Sequence, residues 1–317
     1  MATAWELLAG SESAALLDSV IVVIDPCINP DGHDRYVNWV NGAQGRLPDP
    51  SIDSREHDEP WPGGRFNHYL FDLNRDWAWQ TQTETRSRVA AYLRWRPQVH
   101  CDFHEMSFNS TYFFFPPASP INSNLPPQTR SWADTFGRGN AEAFDALGWR
   151  YYKGEEFDLY YPGYGDSWPT FQGATGMTYE MAGHSRAGTA ALRRDGTVLT
   201  LRERVRRHLT TSMATLRTAR QNRERRLLDY YEFFADGVRG RLQGPATYVI
   251  PPGNDPGRTA EMINLLLDSG ARVEQADEPL KIGDLRDEAG NALHRDLPAG
   301  TYVIPMRQPL RALVNTL

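Results

Sequence analysis

Residues 84–105, ETRSRVAAYLRWRPQVHCDFHE, decide the fold class, because they contain a helix, a break and a strand in succession. Within residues 84–95, Val89 and Leu93 recur at helical spacing, and Pro97 ends the helix. The next residues, 99–103, have the length of a buried strand. A helix that leads directly into a strand with polar residues at its end is typical of an α/β protein.

The segments on either side extend this pattern. Residues 20–24 (VIVVI) are all apolar and β-branched, which predicts a strand buried on both faces. Residues 29–76 form a long irregular stretch rich in Gly, Pro, Asn and Asp, and loops of that length are usually functional. We therefore expect a mixed, largely parallel sheet flanked by helices. The further predicted elements are strands at 110–115 and 176–181, a helix at 132–147 and a long helix from Thr200 to about Tyr231.

The composition changes near the end of the long helix, at Gly237 and Gly240. Residues 246–275 then have the order strand, helix, strand, and residues 301–305 (TYVIP) add another strand. We expect one domain at residues 1–236 and a partial α/β domain at residues 244–317.

Composition excludes several classes of protein. With 317 residues, 40% of them hydrophobic, the chain can bury a sizeable core. A net charge of −6 argues against nucleic acid as the main partner, and we interpret the arginines of residues 202–207 as a solvated helix face. No apolar run approaches the roughly 18 residues that a membrane span needs. Residues 1–19 lack the basic region and cleavage site of a signal peptide, and Cys27 and Cys101 make no disulfide framework.

Four polar segments follow predicted strands or close the long loop: 29–32 (NPDG), 72–76 (DLNRD), 102–105 (DFHE) and 178–180 (TYE). Because such segments meet at the carboxyl edge of a parallel sheet, we expect His104, Glu180, Asn74 and Arg75 to line one cleft. Arginine offers a bidentate fork to a carboxylate, and asparagine adds a donor. Histidine can bind a metal ion, and a carboxylate can activate water. Together these residue types predict a hydrolytic site that holds a chain-terminal carboxylate.

The series IDPCINPDG, DLNRDW, DFHEM and TYE, in this order, resembles the zinc metallocarboxypeptidases of the carboxypeptidase A type, also called funnelins. The resemblance covers roughly residues 10–235. The sequences HYLFDLNRDW and YYPGYGDSW are most similar to those of large bacterial members with an extra C-terminal domain. The resemblance implies zinc-dependent hydrolysis of C-terminal peptide bonds, peptide or protein C-termini as partners, and a parent protein that is secreted or periplasmic.

The resemblance also implies roles for individual residues. His104 matches a zinc ligand, and Glu180 matches the general base that activates water. Asn74 and Arg75 match the pair that binds the terminal carboxylate. For the arginine that polarises the scissile carbonyl we choose Arg65, nine residues before Asn74, with Arg46 and Arg35 as weaker candidates. For the tyrosine that covers bound substrate we choose Tyr161, with Tyr160 as the alternative.

One motif of that family is missing. The family takes its other two zinc ligands from His-x-x-Glu, ahead of the strand that leads into NPDG, and no histidine here has glutamate three residues on. His33, His57 and His68 do not fit the pattern, and we interpret them as loop or hydrogen-bonding residues. We expect an N-terminal truncation that leaves His104 as the single zinc ligand and impairs this chain. The alternatives are a metal-free protein that binds peptide C-termini, and a related zinc amide hydrolase acting on peptidoglycan or acylated amino acids. Loss of the Asn-Arg pair would mark the latter branch, and here the pair is present.

Overall fold

The structure is a computed structural model that describes residues 1–183, 186, 188–240 and 244–317. Its helices are α1 Ala2–Ala9, α2 Ser11–Ala14, α3 Pro30–Ala43, α4 Thr83–Trp95, α5 Gln128–Asp145, α6 Ser167–Phe171, α7 Leu201–Gln221, α8 Arg223–Arg239, α9 Pro256–Asp268 and α10 Arg311–Val314. Single turns of 3₁₀ helix lie at Arg55–His57 and Leu73–Arg75. The strands are β1 Val99–Ser107, β2 Tyr112–Phe113, β3 Thr175–Gly183, β4 Ala190–Leu192, β5 Val198–Thr200, β6 Thr247–Ile250, β7 Glu274–Gln275 and β8 Tyr302–Pro305.

A three-stranded sheet in the order β1-β3-β2 forms the centre of the fold. β1 and β3 are parallel over their whole length, and β2 pairs with β3 in the antiparallel direction. The sheet is therefore mixed and partly parallel, with helices packed against it, and the predicted α/β class is confirmed. β4 and β5 form a separate antiparallel hairpin.

The core forms around β3, in which every residue is buried. Its apolar and aromatic side chains meet a cluster of buried aromatic residues, which includes Phe113, Phe136 and Trp168. Helices α5 and α7 pack on each other and on β3. Burying one such side chain contributes roughly 1.5–3 kcal/mol, so this cluster fixes the position of β3 firmly.

The predicted strand at residues 20–24 is wrong. The segment has no regular secondary structure, and Ile21 and Val23 are 80% and 58% exposed. A strand buried on both faces needs neighbouring strands and covering helices, and none of the described residues provides a neighbouring strand here. Val22 of this run packs against a small apolar cluster that includes Leu7 and Leu16.

Other elements differ in their bounds from those predicted from the sequence. The irregular stretch contains α3, which begins with Asn29 as N-cap and Pro30 in its first turn. The long helix divides into α7 and α8 because Asn222 has non-helical dihedral angles. The strand predicted at residues 110–115 shortens to Tyr112–Phe113.

The C-terminal residues form an antiparallel sheet in the order β6-β8-β7 with its own small apolar cluster. The predicted order of strand, helix and strand is present, but β8 lies between the two strands. Ala312 and Leu313 of α10 belong to the main apolar cluster, and Ser269 accepts a hydrogen bond from Gln80 at 2.9 Å. No described helix has the length and apolar character of a membrane span.

Candidate active site

Asp102, which is buried, and His104, which is mostly buried, form an ion pair on β1. Two residues apart on one strand, they lie on the same face of the sheet, and Asp102 Oδ2 is 2.7 Å from His104 Nε2. Burial disfavours the imidazolium, but the Asp102 carboxylate outweighs burial and raises the pKa of His104 to about 9. Burial would raise the pKa of Asp102, yet His104 lowers it on balance. Both groups are therefore charged at neutral pH, and His104 Nε2–H donates to Asp102.

Asn74, in the DLNRD motif, contacts the ion pair of Asp102 and His104. Asp72 Oδ1 accepts from the Asn74 N–H at 2.9 Å and thereby fixes the turn. Asn74 Oδ1 accepts from the Gly165 N–H at 2.7 Å, so its Nδ2 faces His104 Nε2 at 3.1 Å. Because the Nε2 proton is directed at Asp102, the amide of Asn74 retains donor capacity for a ligand.

Gly165 packs against the cluster formed by Asp102, His104 and Asn74. A Cβ at this position would overlap Asp102 Oδ2 and lie 3.0 Å from Trp77 Nε1. The loop of residues 160–168 can approach β1 this closely only because residue 165 has no side chain. Gly165 and Asp102 were assigned no role from sequence. The available signal for Asp102 was its position two residues before His104 on the same strand face.

Glu180 lies opposite His104. The two residues are Cα partners across the parallel pair of β1 and β3. Glu180 is 8% exposed, and its Oε2 has no hydrogen-bond partner among the described residues. Burial raises the pKa of Glu180 to about 7, against the opposing effect of His104. A carboxyl group that titrates near neutral pH can accept and return a proton.

A third carboxyl group, Asp166, is buried behind the site. Its Oδ2 accepts from Thr178 Oγ1 at 2.8 Å, and its Oδ1 accepts from Ser167 Oγ at 3.0 Å. Burial raises the pKa of Asp166 to about 6 despite these hydrogen bonds. Its negative charge contributes to the raised pKa of Glu180. Sequence reasoning missed Asp166, because nothing in its local pattern signals burial.

Arg75 and Arg65 supply positive charge at the solvent-exposed rim of the site around His104 and Glu180. The Arg75 side chain is 49% exposed; it donates to the carbonyl oxygen of Asn74 at 2.8 Å and lies 4.5 Å over the ring of Tyr164. One face of its guanidinium group is thus supported while the group remains open to solvent. Arg65 pairs with Asp72 at 2.9 Å and is close enough to lower the pKa of both His104 and Glu180.

The two weaker arginine candidates lie elsewhere. Arg35 donates to the backbone carbonyls of Gly63, Phe66 and Asn67, so both of its terminal nitrogens are already engaged. Arg46 is exposed in the loop after α3. Arg65 is therefore the candidate whose charge acts on the site.

Tyr161, rather than Tyr160, lies beside Arg75. Its hydroxyl accepts from Trp79 Nε1 at 2.5 Å and donates to the carbonyl oxygen of Arg75 at 3.3 Å. The Tyr160 side chain is 52% exposed, and its carbonyl oxygen accepts from Asn122.

The described residues do not fit a zinc site. A catalytic zinc ion takes three protein ligands, and no group of three His, Cys, Asp or Glu side chains suited to a metal occurs among the residues that the structure describes. His57 is buried, with its ring nitrogens against the carbonyl oxygens of Arg186 and Asp49 at 2.5 and 2.7 Å. His33 is exposed on helix α3 and not in a loop as interpreted from the sequence, and His68 is exposed in the loop after α3.

Comparisons of the chain with protein-family models, with curated proteins and with solved structures found no match.

Proposed function

We propose that this chain is a carboxypeptidase-type unit that binds peptide and protein C-termini, with hydrolysis of the C-terminal peptide bond as its parent reaction. One observation supports this proposal above the others. Asn74, from the DLNRD motif, contacts His104 of the DFHE motif, and His104 is in register with Glu180 of the TYE motif. Residues from three separate motifs are thus brought together on β1 and β3, and Arg75 directly follows Asn74 in the chain.

The terminal carboxylate of a peptide would bind at Arg75. The guanidinium group is half-exposed, rests on Tyr164 and donates to the backbone carbonyl oxygen of Asn74. A charge-assisted hydrogen bond of this kind contributes about 1.5–3 kcal/mol. Tyr161, held by Trp79, borders the same surface and would contact the terminal residue.

Glu180 and Arg65 would act on the peptide bond. Ionised Glu180 can take a proton from the attacking water, and its pKa of about 7 leaves both protonation states populated at neutral pH. Arg65 can stabilise the negative charge that develops on the carbonyl oxygen. The described residues supply no metal set for this reaction, so every role assigned here belongs to a side chain of this chain.

Matched peptides test the carboxylate site. We expect calorimetry to show that a peptide with a free C-terminus binds about 10–100-fold more tightly than its C-terminal amide, since the amide lacks the charge that Arg75 would bind. Replacing Arg138, an exposed arginine on α5, by Gln is the control and should leave this ratio unchanged. Equal affinities for acid and amide would contradict the proposal.

The second candidate is a metal-free protein that binds peptide C-termini without cutting them. It is supported by the engagement of His104 Nε2 with Asp102 and by the missing metal set among the described residues. Dialysis against zinc followed by metal analysis, with hydrolysis of the same free-acid peptide measured in parallel, separates the candidates. Binding without zinc uptake or cleavage supports the binding protein. One tightly held zinc ion per chain together with cleavage supports the enzyme.

A further inference from the structure

The NPDG turn holds the loop that contains Arg65. Asn29 Oδ1 accepts from the Gly32 N–H at 3.0 Å and caps α3. The Nδ2 group of the same side chain donates to the carbonyl oxygens of Gly64 at 3.3 Å and Arg65 at 3.1 Å. One asparagine therefore joins the start of a helix to a loop more than thirty residues further along the chain.

Arg35, on the next turn of α3, holds the same loop. Its Nη1 donates to the carbonyl oxygens of Gly63 at 2.6 Å and Phe66 at 3.0 Å, and its Nη2 reaches that of Asn67 at 3.4 Å. The acceptors lie on both sides of Arg65. Three backbone bonds from one planar, rigid group fix both the position and the direction of the loop.

Close packing completes the contact. A Cβ on Gly32 would overlap the carbonyl oxygen of Gly64, so only glycine allows the turn to approach the loop. Asp31 Oδ2 also accepts from the His68 N–H at 2.9 Å. Residues 29–35 thus contact the loop of residues 63–68 along its whole length.

The loop in turn fixes the carboxylate-binding residues. Arg65 Nε and Nη2 both lie 2.9 Å from Asp72 Oδ2, and Asp72 Oδ1 accepts from the N–H of Asn74. One aspartate therefore joins Arg65 to the turn that presents Asn74 and Arg75. A displacement of the loop would move Arg65 away from Asp72 and disturb both groups.

We propose that Asn29 and Arg35 are positioning residues, which place Arg65 and, through Asp72, the Asn74 turn at the ligand. This inference rests on the proposed function, in which Arg65 and Arg75 contact a bound peptide. A purely structural role would only stabilise the fold. A positioning role must act through Arg65, and that dependence can be measured.

A double-mutant cycle with free-acid peptide as probe measures it. Arg35→Gln should weaken peptide binding on the order of tenfold in the wild-type background and by twofold or less in the Arg65→Gln background, because contacting groups are non-additive. Asn29→Ala should behave in the same way. Arg226→Gln is the matched control. The Arg226 side chain is buried and donates to the carbonyl oxygen of Gly173, just before β3 begins. Loss of this arginine should lower stability without changing the affinity for the peptide. An equal loss from Arg35→Gln in both backgrounds would overturn the proposal.

A second measurement needs no peptide and separates this inference from the proposed function. The Arg65 Nε–H, which donates to Asp72, gives an NMR signal identified by its absence in Arg65→Lys. In Arg35→Gln this proton should exchange with solvent at least tenfold faster, as should the backbone amides of residues 66–68, while Arg226→Gln leaves them unchanged. If the wild-type protein binds no C-terminal acid, the proposed function fails and this measurement still decides the positioning role. Unchanged exchange in Arg35→Gln would refute it.

Discussion

His104 and Glu180 are neighbours in register on the parallel pair of β1 and β3, and burial disfavours the charged form of both side chains. The imidazolium of His104 is kept by Asp102, with a pKa of about 9, whereas desolvation raises the pKa of Glu180 to about 7. Near neutral pH the pair thus holds one fixed positive charge beside one carboxyl group that can exchange its proton. This division depends on Asp102 for the fixed charge and on Gly165 for the space that Asp102 occupies.

Gly165→Ala should destabilise the protein by about 1–3 kcal/mol, because the new methyl group would overlap the buried Asp102 carboxylate. Urea unfolding checks this. Gly42→Ala is the control: residue 42 lies in α3 with nothing within 4 Å of an added Cβ, so the variant should be neutral or slightly more stable. Equal stability of Gly165→Ala and wild type would show that the contact with Asp102 is loose.

The Asp102–His104 pair should show strong coupling in a double-mutant cycle. Asp102→Asn leaves a buried imidazolium without its partner and should cost about 3–5 kcal/mol. Replacing both residues, Asp102→Asn with His104→Gln, removes both charges and should cost less than the sum of the single changes. Chemical denaturation of the four proteins gives the coupling energy. Additive losses would mean that the two side chains do not form a buried ion pair.

The order of the motifs allowed Asn74, His104 and Glu180 to be selected from the sequence, because polar residues at the ends of predicted parallel strands are expected to lie together. In the structure both strands continue past these residues, to Ser107 and Gly183. Asp166 and Gly165 could not be selected in this way, since their importance comes from contacts with distant strands. The error at residues 20–24 has the same origin. An apolar run records that a segment prefers burial, but it does not record whether a neighbouring strand exists. Helix α3 was hidden by its glycine and asparagine content, although Asn29 and Pro30 form a recognisable helix start.

Asp166 should make stability depend on pH in the direction opposite to a paired carboxylate. Its pKa is about 6 in the folded protein and roughly 3.9 in an unfolded chain, so the folded state binds more protons between those values. Its contribution to the free energy of unfolding is therefore most favourable below about pH 4, falls as pH rises towards 6 and is constant above that. The total loss is at most about 3 kcal/mol.

Asp166→Asn removes this titration and keeps the shape of the side chain. The difference in free energy of unfolding between variant and wild type should shift in favour of the variant from pH 4 to pH 7. Any fixed effect of the altered hydrogen bonds to Thr178 and Ser167 is the same at every pH and cancels in this comparison. Asp134→Asn, an exposed aspartate on α5, is the control and should show no such shift. A difference that stays constant for Asp166→Asn would refute the prediction.

Arg75 and Glu180 are assigned different tasks, so their variants should fail differently. Arg75→Ala removes the charge-assisted contact to the terminal carboxylate, worth roughly 1.5–3 kcal/mol, and should weaken binding of free-acid peptides about 10–100-fold. Peptide amides lack that charge, so their affinity should change little, and the variant should hardly distinguish the two ends.

Glu180→Gln keeps the shape of the side chain but removes the group that takes a proton from water. Its affinity for free-acid peptides should stay within about threefold of wild type, because Glu180 does not contact the carboxylate in this assignment. In any form of the protein that hydrolyses peptides, kcat should fall by about 10²–10⁴-fold with KM nearly unchanged, which is the usual cost of losing a general base. Calorimetry with paired acid and amide peptides, together with kcat and KM for hydrolysis, separates the two assignments. Near-normal turnover in Glu180→Gln would refute the role of Glu180 as base, and unchanged acid-over-amide preference in Arg75→Ala would place the carboxylate elsewhere on the molecule.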